Sequence, residues 1–214
     1  MDPERLARLR EEYAAEGLDE TAAGDDPIVL FDSWLDAAVA SGLPEPNAMA
    51  LATATPGGVP SVRMVLLKGF DRRGATFFTN YESRKAGELE TNPRAALAML
   101  WHLLRRQVRI EGPVARIPEA ESDAYFASRP YGSRLGAAAS PQSRVVADRA
   151  ELDRRYSSAE AAAGAGPVER PAHWGGYRVE PQVMEFWQGR AERMHDRLRF
   201  TRAGDGWRRE RLAP

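Results

Sequence analysis

The chain of 214 residues contains no cysteine, and this absence excludes disulfide bonds, thiolate metal sites and cysteine nucleophiles. It has no apolar run near the ~20 residues that a membrane-spanning helix needs. The N-terminus lacks the basic-then-apolar layout of a signal peptide. A net charge of −1 creates no overall field that would attract nucleic acid. We therefore expect a cytoplasmic protein with neither a membrane nor a nucleic acid as partner.

Several catalytic and nucleotide-binding motifs are also missing. The chain has no P-loop, no GxGxxG and no HExxH, which argues against nucleotide hydrolysis, a dinucleotide-binding Rossmann site and a zinc protease. Only three histidines are present. No metal-binding cluster and no catalytic triad is evident, so we expect no metal.

The order of the segments that are present predicts an α+β protein that is mainly antiparallel. Hydrophobic residues make up 43% of the chain, which is enough to bury a substantial core. Helical patterns occupy 3–16, 25–42, 119–128 and 147–163. Strand patterns joined by tight turns occupy 48–55, 59–70, 75–80, 95–101, 107–117, 177–187 and 194–211. We expect an antiparallel barrel or sandwich flanked by helices, as a single domain over 1–214 with a helical segment at about 1–42.

The strand pattern at 61–68 carries two cations, Arg63 and Lys68, within an almost continuous apolar run. Such a run is typical of a strand that is buried on both faces, where an unpaired cation is costly. Each cation is therefore expected to meet an anion or to lie at a strand end. Alternation along the strand places the two on opposite faces. The anion is either a bound ligand or a carboxylate of the chain, and this segment favours neither.

Residues 79–86 run from a strand into a helix, with Ser83 as the expected N-cap and Arg84 and Lys85 in the first turn. Cations at this end oppose the helix dipole by ~0.3–1 kcal/mol each. Their placement becomes favourable when an anion binds there, because the free backbone N–H groups already favour phosphate. An exposed helix start is the alternative, and the pattern favours the phosphate site.

Tyr125, Arg129 and Ser133 form a second set of anion donors at four-residue steps. They would share a helical face, although Pro130 interrupts the helix. A phenol, a guanidinium and a hydroxyl are suitable donors to phosphate. The same residue types are also common on ordinary surfaces.

Near the C-terminus, Arg193, His195 and Arg197 alternate along a predicted strand. Alternate side chains of a strand share one face, so the three would form a polar row able to hold an anionic ligand. On spacing alone, a solvated edge strand is the slightly favoured alternative, because arginine commonly guards such edges against aggregation.

Taken together, these segments resemble the pyridoxamine/pyridoxine 5′-phosphate oxidase family. The resemblance covers the chain from about residue 9 to its end and rests on motifs in a fixed order. They are RMVLLK at 63–68, TN..SRKA at 79–86, RQVR at 106–109, YFASRP at 125–130, QS at 142–143, WGGYRV at 174–179, FWQG at 186–189 and RMHDR at 193–197.

The resemblance implies an FMN-binding split β-barrel that works as a homodimer, with the flavin at the subunit interface. FMN binding is assigned to Arg63, Met64, Val65, Leu66, Leu67, Lys68, Phe78, Thr79, Arg84, Lys85, Gln107, Gln142, Ser143, Trp187 and Arg197. The substrate phosphate is assigned to Lys68, Tyr125, Arg129 and Ser133. Arg193 and His195 would lie against the pyridine ring as catalytic residues, and Arg10 and Tyr13 would cover the substrate.

The reaction that the resemblance implies is oxidation of pyridoxamine or pyridoxine 5′-phosphate to pyridoxal 5′-phosphate. FMN takes a hydride equivalent from the carbon that bears the amine or alcohol, and dioxygen reoxidises it with release of H2O2. Two departures from the family pattern matter: Phe78 stands where tyrosine is frequent, and Glu45 stands where aspartate is frequent. The alternatives on this fold are a flavin oxidase of phenazine-type biosynthesis, a deazaflavin-dependent reductase and a non-catalytic flavin-binding protein.

Overall fold

The computed structural model describes residues 17–164 and 166–214. The predicted helix at 3–16 and the candidate substrate residues Arg10 and Tyr13 lie outside these residues. Within the described ranges, no helix combines the length and the apolar character needed to cross a membrane.

Ten strands form the sheet of the described fold. They are β1 (Ala48–Ala54), β2 (Pro60–Leu66), β3 (Gly69–Asp71), β4 (Gly74–Asn80), β5 (Arg94–Trp101), β6 (Arg106–Arg116), β7 (Trp174–Val179), β8 (Val183–Gln188), β9 (Asp196–Ala203) and β10 (Gly206–Arg211). The pairs β3–β4, β4–β7, β6–β7, β6–β8, β8–β9 and β9–β10 are all antiparallel, as the short turns predict.

Six α-helices accompany the strands over the same residues. They are α1 (Glu20–Ala23), α2 (Pro27–Ala40), α3 (Arg84–Thr91), α4 (Glu119–Ser128), α5 (Tyr131–Ala139) and α6 (Arg149–Ala163). The sequence did not predict α5, because Pro130 suggested a break. Proline in fact favours this arrangement, since it precedes the first helical residue and has no N–H to leave unpaired.

The chain forms two compact units built from interleaved segments. Unit 1 contains residues 17–49, 97–111 and 181–214 of the described chain, and unit 2 contains residues 50–96 and 112–180. The single-domain organisation expected from the sequence stays a prediction.

Unit 1 packs α2 within its apolar core. The helix begins at Pro27 because Asp26 caps it, with Oδ1 accepting a hydrogen bond from the Ile28 N–H at 2.9 Å. Its buried stripe includes Trp34, whose ring meets Phe186 of β8 edge-on at 5.3 Å. This confirms the helix that the sequence predicts within 25–42.

Unit 2 is organised around β4, which pairs with β3 on one side and β7 on the other. Phe77 of β4 is fully buried and stacks on Tyr177 of β7 at 5.8 Å. At its C-terminal end the strand passes through a short turn into α3, whose N-cap is Ser83 as predicted. The strand therefore presents its last side chains next to the first turn of the helix.

The prediction that β2 is buried on both faces is wrong. Val62 and Met64 are 69% and 65% exposed, and the strand stops at Leu66. β2 ends the strand order of the sheet, next to β1, so one of its edges has no neighbouring strand among the described residues. An apolar edge of this kind is a candidate surface for association with another chain.

Candidate active site

A cavity of about 840 Å³ opens in unit 2, within the size range of small-molecule sites. Fourteen of the predicted site residues line it: Arg63, Met64, Val65, Leu66, Lys68, Phe78, Thr79, Arg84, Lys85, Tyr125, Arg129, Ser133, Gln142 and Ser143. Its described lining contains five cations and no carboxylate. Such a lining favours an anionic ligand.

Arg63 and Lys68 meet at this cavity although strand alternation predicted opposite faces. Arg63 lies on β2, whereas Lys68 lies in the connection between β2 and β3, beyond the last residue that alternates. Its backbone N–H donates to the Thr76 carbonyl at 2.8 Å. The early end of β2 therefore brings the two cations to one cavity.

The first turn of α3 places Lys85 among neutral oxygens. Its Nζ donates to Thr79 Oγ1 at 3.0 Å, Gln142 Oε1 at 3.1 Å and Ser83 Oγ at 3.4 Å. Burial, assisted by the charge of Arg63, lowers the pKa of Lys85 to about 8. An ammonium with this environment gains stability from an anion bound beside it.

Arg63 and Arg84 share one buried carboxylate, Glu88 of α3. Arg84 Nε donates to Glu88 Oε1 at 2.9 Å, and Arg63 Nη2 lies 3.4 Å from Glu88 Oε2. The anion that Arg63 meets within the chain is therefore Glu88, one of the two possibilities left open by the sequence. Both arginines still line the cavity.

The predicted donors Tyr125, Arg129 and Ser133 come together where α4 ends and α5 begins. Arg129 lies over the Trp174 ring at 4.7 Å from its centroid. Its Nη1 is buried and has no hydrogen-bond partner in the described part of the chain. A buried guanidinium nitrogen without a partner is costly, and a bound anion would supply one.

Phe78 forms part of an aromatic stack at the same end of the cavity. Its ring lies 3.9 Å from Tyr125 and 5.3 Å from Trp174, and all three rings are nearly parallel. Gly176, the cross-strand partner of Phe78, allows this arrangement. An added Cβ at Gly176 would lie 2.9 Å from the Phe78 ring and 2.5 Å from Ile117.

Leu67, which follows β2 in unit 2, is buried and is not part of the described cavity lining. Three other predicted residues form a separate set in unit 1. Gln107 pairs with Trp187 across β6 and β8, and Trp187 pairs with Arg197 across β8 and β9. Directly opposed residues of antiparallel strands share a face, so the three make one cross-strand row. Arg197 is held there by Glu185, which accepts from its Nε at 2.8 Å.

The predicted strand row of Arg193, His195 and Arg197 is wrong, because β9 begins only at Asp196. Arg193 is exposed at the end of a short 3-10 turn with a left-handed φ of 61°. His195 Nδ1 accepts from the Arg190 N–H at 3.1 Å, which leaves the proton of the neutral ring on Nε2. Its ring packs 4.6 Å from Trp187.

Sequence reasoning missed Ser61, Trp174 and Glu88. Ser61 precedes Arg63 by two residues and so shares its strand face, and it lines the cavity. Glu88 follows Arg84 by four residues on a predicted helix, the spacing of a helical ion pair. The two-residue spacing of Ser61 and the four-residue spacing of Glu88 could both have been recognised in the sequence. The position of Trp174 could not, because it depends on the pairing of β4 with β7.

Family models match most of the chain. A model described as pyridoxamine 5′-phosphate oxidase matches residues 35–161. A model described as the pyridoxine 5′-phosphate oxidase C-terminal dimerisation region matches residues 174–214. The chain belongs to the pyridoxine/pyridoxamine 5′-phosphate oxidase family.

Curated members of this family are similar over nearly their whole length. The pyridoxine/pyridoxamine 5′-phosphate oxidase of Rubrobacter xylanophilus is 57% identical over 98% of this chain and 96% of its own. The oxidase of the same name from Synechocystis is 52% identical over the full length of both chains. The predictions that the chain belongs to this family and is an oxidoreductase are confirmed.

Solved structures confirm the predicted fold, the FMN-binding split β-barrel. PhzG from Burkholderia lata, solved with tetrahydrophenazine-1-carboxylic acid, is 33% identical with a TM-score of 0.87 over 94% of this chain and all of its own. An FMN-binding protein from Nostoc punctiforme, related to pyridoxamine 5′-phosphate oxidase, has a TM-score of 0.70 at 18% identity. It covers 86% of this chain and 97% of its own.

Proposed function

We propose that this oxidase-family chain uses FMN to oxidise pyridoxamine 5′-phosphate or pyridoxine 5′-phosphate to pyridoxal 5′-phosphate, with O2 as acceptor. One observation carries the proposal: the described lining of one cavity holds two groups of phosphate donors and no carboxylate. The first group is at the start of α3 and the second is at the junction of α4 and α5. Two phosphorylated reactants, the cofactor and the substrate, account for both groups.

The start of α3 fits the phosphate of FMN. Lys85 supplies a buried ammonium, Arg84 supplies an exposed guanidinium, and the start of the helix adds backbone N–H groups. FMN, when bound, supplies the acceptor for a hydride equivalent. We assign the row of Gln107, Trp187 and Arg197 to the same cofactor.

The junction of α4 and α5 fits the phosphate of the substrate. Arg129 offers its buried unpaired Nη1, and Tyr125 and Ser133 offer hydroxyls beside it. Stacking on Trp174 and Phe78 fixes the planes of Arg129 and Tyr125. We include Lys68 as a further cation at this phosphate. The donors therefore orient the substrate without supplying a nucleophile, which fits a proximity mechanism.

Arg193 and His195 are proposed to contact the substrate ring. His195 with its proton on Nε2 donates to an oxygen substituent, and Arg193 balances negative charge on the ring. Arg10 and Tyr13 are proposed to cover the bound substrate.

Oxygen uptake by FMN-loaded protein tests the proposed activity. Pyridoxamine 5′-phosphate and pyridoxine 5′-phosphate should each give the aldehyde with matching oxygen uptake. Tetrahydrophenazine-1-carboxylic acid, bound by the 33% identical PhzG, is the second candidate substrate. Turnover of that compound alone would contradict the proposal, and no turnover of any of the three would indicate a non-catalytic flavin-binding protein.

We expect the affinity for FMN to fall as the pH rises above about 8, the pKa of Lys85 without ligand. A phosphate beside Nζ favours the ammonium, so the neutral amine must take up a proton on binding. Above the unliganded pKa, the dissociation constant should rise about tenfold per pH unit until the pKa of the complex is reached. Flavin fluorescence titrations of the apoprotein between about pH 7 and pH 9.5 measure this.

Riboflavin is the control ligand for this pH dependence, because it shares the ring system of FMN but lacks the phosphate. Its affinity should change little over the range in which Lys85 titrates. Equal pH slopes for the two ligands would show that Lys85 does not face the phosphate.

We propose that the chain works as a homodimer, consistent with its C-terminal dimerisation region. The exposed Val62 and Met64 on the edge strand β2 are candidate interface residues. Replacing both by glutamate should convert a dimer into a monomer in light scattering, because it would bury two unpaired carboxylates. Val39→Glu, an equally apolar and 59% exposed position on α2, is the control and should stay dimeric. A variant dimer as stable as the wild type excludes β2 from the interface.

A further inference from the structure

Glu88 is a buried carboxylate that collects hydrogen bonds from the walls of the cavity without lining it. Its side chain is 6% exposed. Oε2 accepts from Thr53 Oγ1 and from Ser61 Oγ, each at 2.5 Å, and Oε1 accepts from Arg84 Nε at 2.9 Å. This is more polar contact than a helical ion pair provides.

The two hydroxyls connect Glu88 to Arg63. Arg63 Nη1 donates to Thr53 Oγ1 at 2.5 Å, and Arg63 Nη2 donates to Ser61 Oγ. A second bond from Nη1 reaches the Leu51 carbonyl at 3.2 Å. The Arg63 guanidinium is therefore held by two hydroxyls and one backbone carbonyl of the chain.

Chemistry sets the direction of every bond in this network. A guanidinium can only donate and an ionised carboxylate can only accept, whereas a hydroxyl does both. Arg63 therefore donates to the hydroxyl oxygens, and the hydroxyls donate to Glu88. Burial opposes ionisation of Glu88, but the bonds from Ser61, Thr53 and Arg84 outweigh it and hold its pKa at about 2. The carboxylate thus keeps its acceptor role at any neutral pH.

We infer that Glu88 is a positioning residue that preorganises Arg63 and Arg84 for the cofactor phosphate. The inference rests on the proposed FMN site. Arg84 is bound directly, and Arg63 is bound chiefly through the hydroxyls of Thr53 and Ser61. A long arginine side chain loses rotamer freedom when it binds a ligand, and prior fixation by Glu88 reduces that loss.

Glu88 could also affect FMN affinity in the opposite direction. Glu88 is an anion near a phosphate site, so simple charge repulsion predicts that its removal strengthens FMN binding. Positioning predicts that its removal weakens binding. The measured direction separates the two.

The test compares FMN with riboflavin on apoprotein of the full chain, using quenching of flavin fluorescence. Glu88→Ala should weaken FMN at least about tenfold, the equivalent of one hydrogen bond to a charged group. Riboflavin affinity should stay within about twofold, because riboflavin has no phosphate for the arginines to bind. A merely structural role would weaken both ligands alike.

Glu90→Ala is the matched control. Glu90 lies on the same helix and carries the same charge, but it binds Arg116 and Tyr177 instead. The Glu90→Ala variant should leave the ratio of FMN affinity to riboflavin affinity unchanged. If Glu88→Ala does not fold, Thr53→Val decides, since it removes one hydroxyl at nearly constant volume and should weaken FMN selectively.

Three results would overturn the inference. An unchanged affinity ratio in the variant that folds would make Glu88 a purely structural residue. Tighter FMN binding would show that its charge repels the phosphate. If the wild-type protein binds FMN no better than riboflavin, the proposed phosphate site itself is wrong.

Discussion

Replacing Arg84 and Lys85 together by alanine is expected to give a protein that loses its flavin on dialysis, whereas the wild type stays yellow. Both side chains line the cavity in the first turn of α3, and the acceptors that the structure describes for Lys85 Nζ are neutral oxygens. Each charge-assisted bond to a phosphate contributes about 1.5–3 kcal/mol. Losing both should raise the FMN dissociation constant by about a hundredfold or more.

The matched control is the double variant of Arg154 and Arg155 on α6. These are also two adjacent cations on a helix, and Arg155 pairs with Glu151 at the four-residue spacing that joins Arg84 to Glu88. That variant should bind FMN like the wild type. If the Arg84 and Lys85 variant keeps its full flavin content, the start of α3 is not the cofactor phosphate site.

Arg193→Ala is expected to keep its FMN and to lose most of its turnover. Its proposed role is to balance charge on the reacting substrate ring, so the lost interaction belongs to the reacting complex. Lysine should not restore the activity, because it lacks the planar guanidinium. The left-handed backbone at residue 193, with φ of 61°, is disfavoured for alanine and arginine alike. The substitution therefore changes the local backbone energy little.

Flavin absorbance and steady-state oxygen uptake measure the two parts of this prediction separately. Arg202→Ala on β9 is the control, since Arg202 lies over Trp207 and takes no part in the proposed site. Full activity in Arg193→Ala would show that Arg193 is an ordinary solvent-exposed residue with no role in the reaction. Loss of flavin would make Arg193 a cofactor ligand instead.

The sequence predicted those parts of the fold that depend on local rules. Asp26 and Pro27 mark the start of α2, and Ser83 marks the start of α3, because capping and proline preferences act within one turn. The helix start also predicted a phosphate site where the cavity now presents Arg84 and Lys85.

The errors concern features that depend on distant partners. The row of Arg193, His195 and Arg197 assumed a strand, but His195 bonds the Arg190 N–H and the chain turns before β9 begins. The apolar run in β2 predicted burial, yet Val62 and Met64 of this strand are exposed. Periodicity reports the face of a side chain and cannot report what covers it.

Glu88 illustrates a further gap between pattern and site. Its four-residue spacing from Arg84 was readable, but its bonds to Thr53 and Ser61 depend on where β1 and β2 lie beside α3. The sequence therefore did not predict the role of this carboxylate, although it predicted that Arg63 and Arg84 lie at the site. The roles of the residues in both units stay predictions.

Anaerobic mixing of the FMN-loaded protein with pyridoxamine 5′-phosphate tests the central claim most directly. We predict that the oxidised flavin absorbance disappears in a single turnover, with one aldehyde formed per flavin, and returns when oxygen is admitted. Pyridoxamine without the phosphate should react far more slowly, because it cannot bind the donors around Arg129. Flavin that stays oxidised with the phosphorylated amine and the phosphorylated alcohol alike would contradict the proposed oxidase.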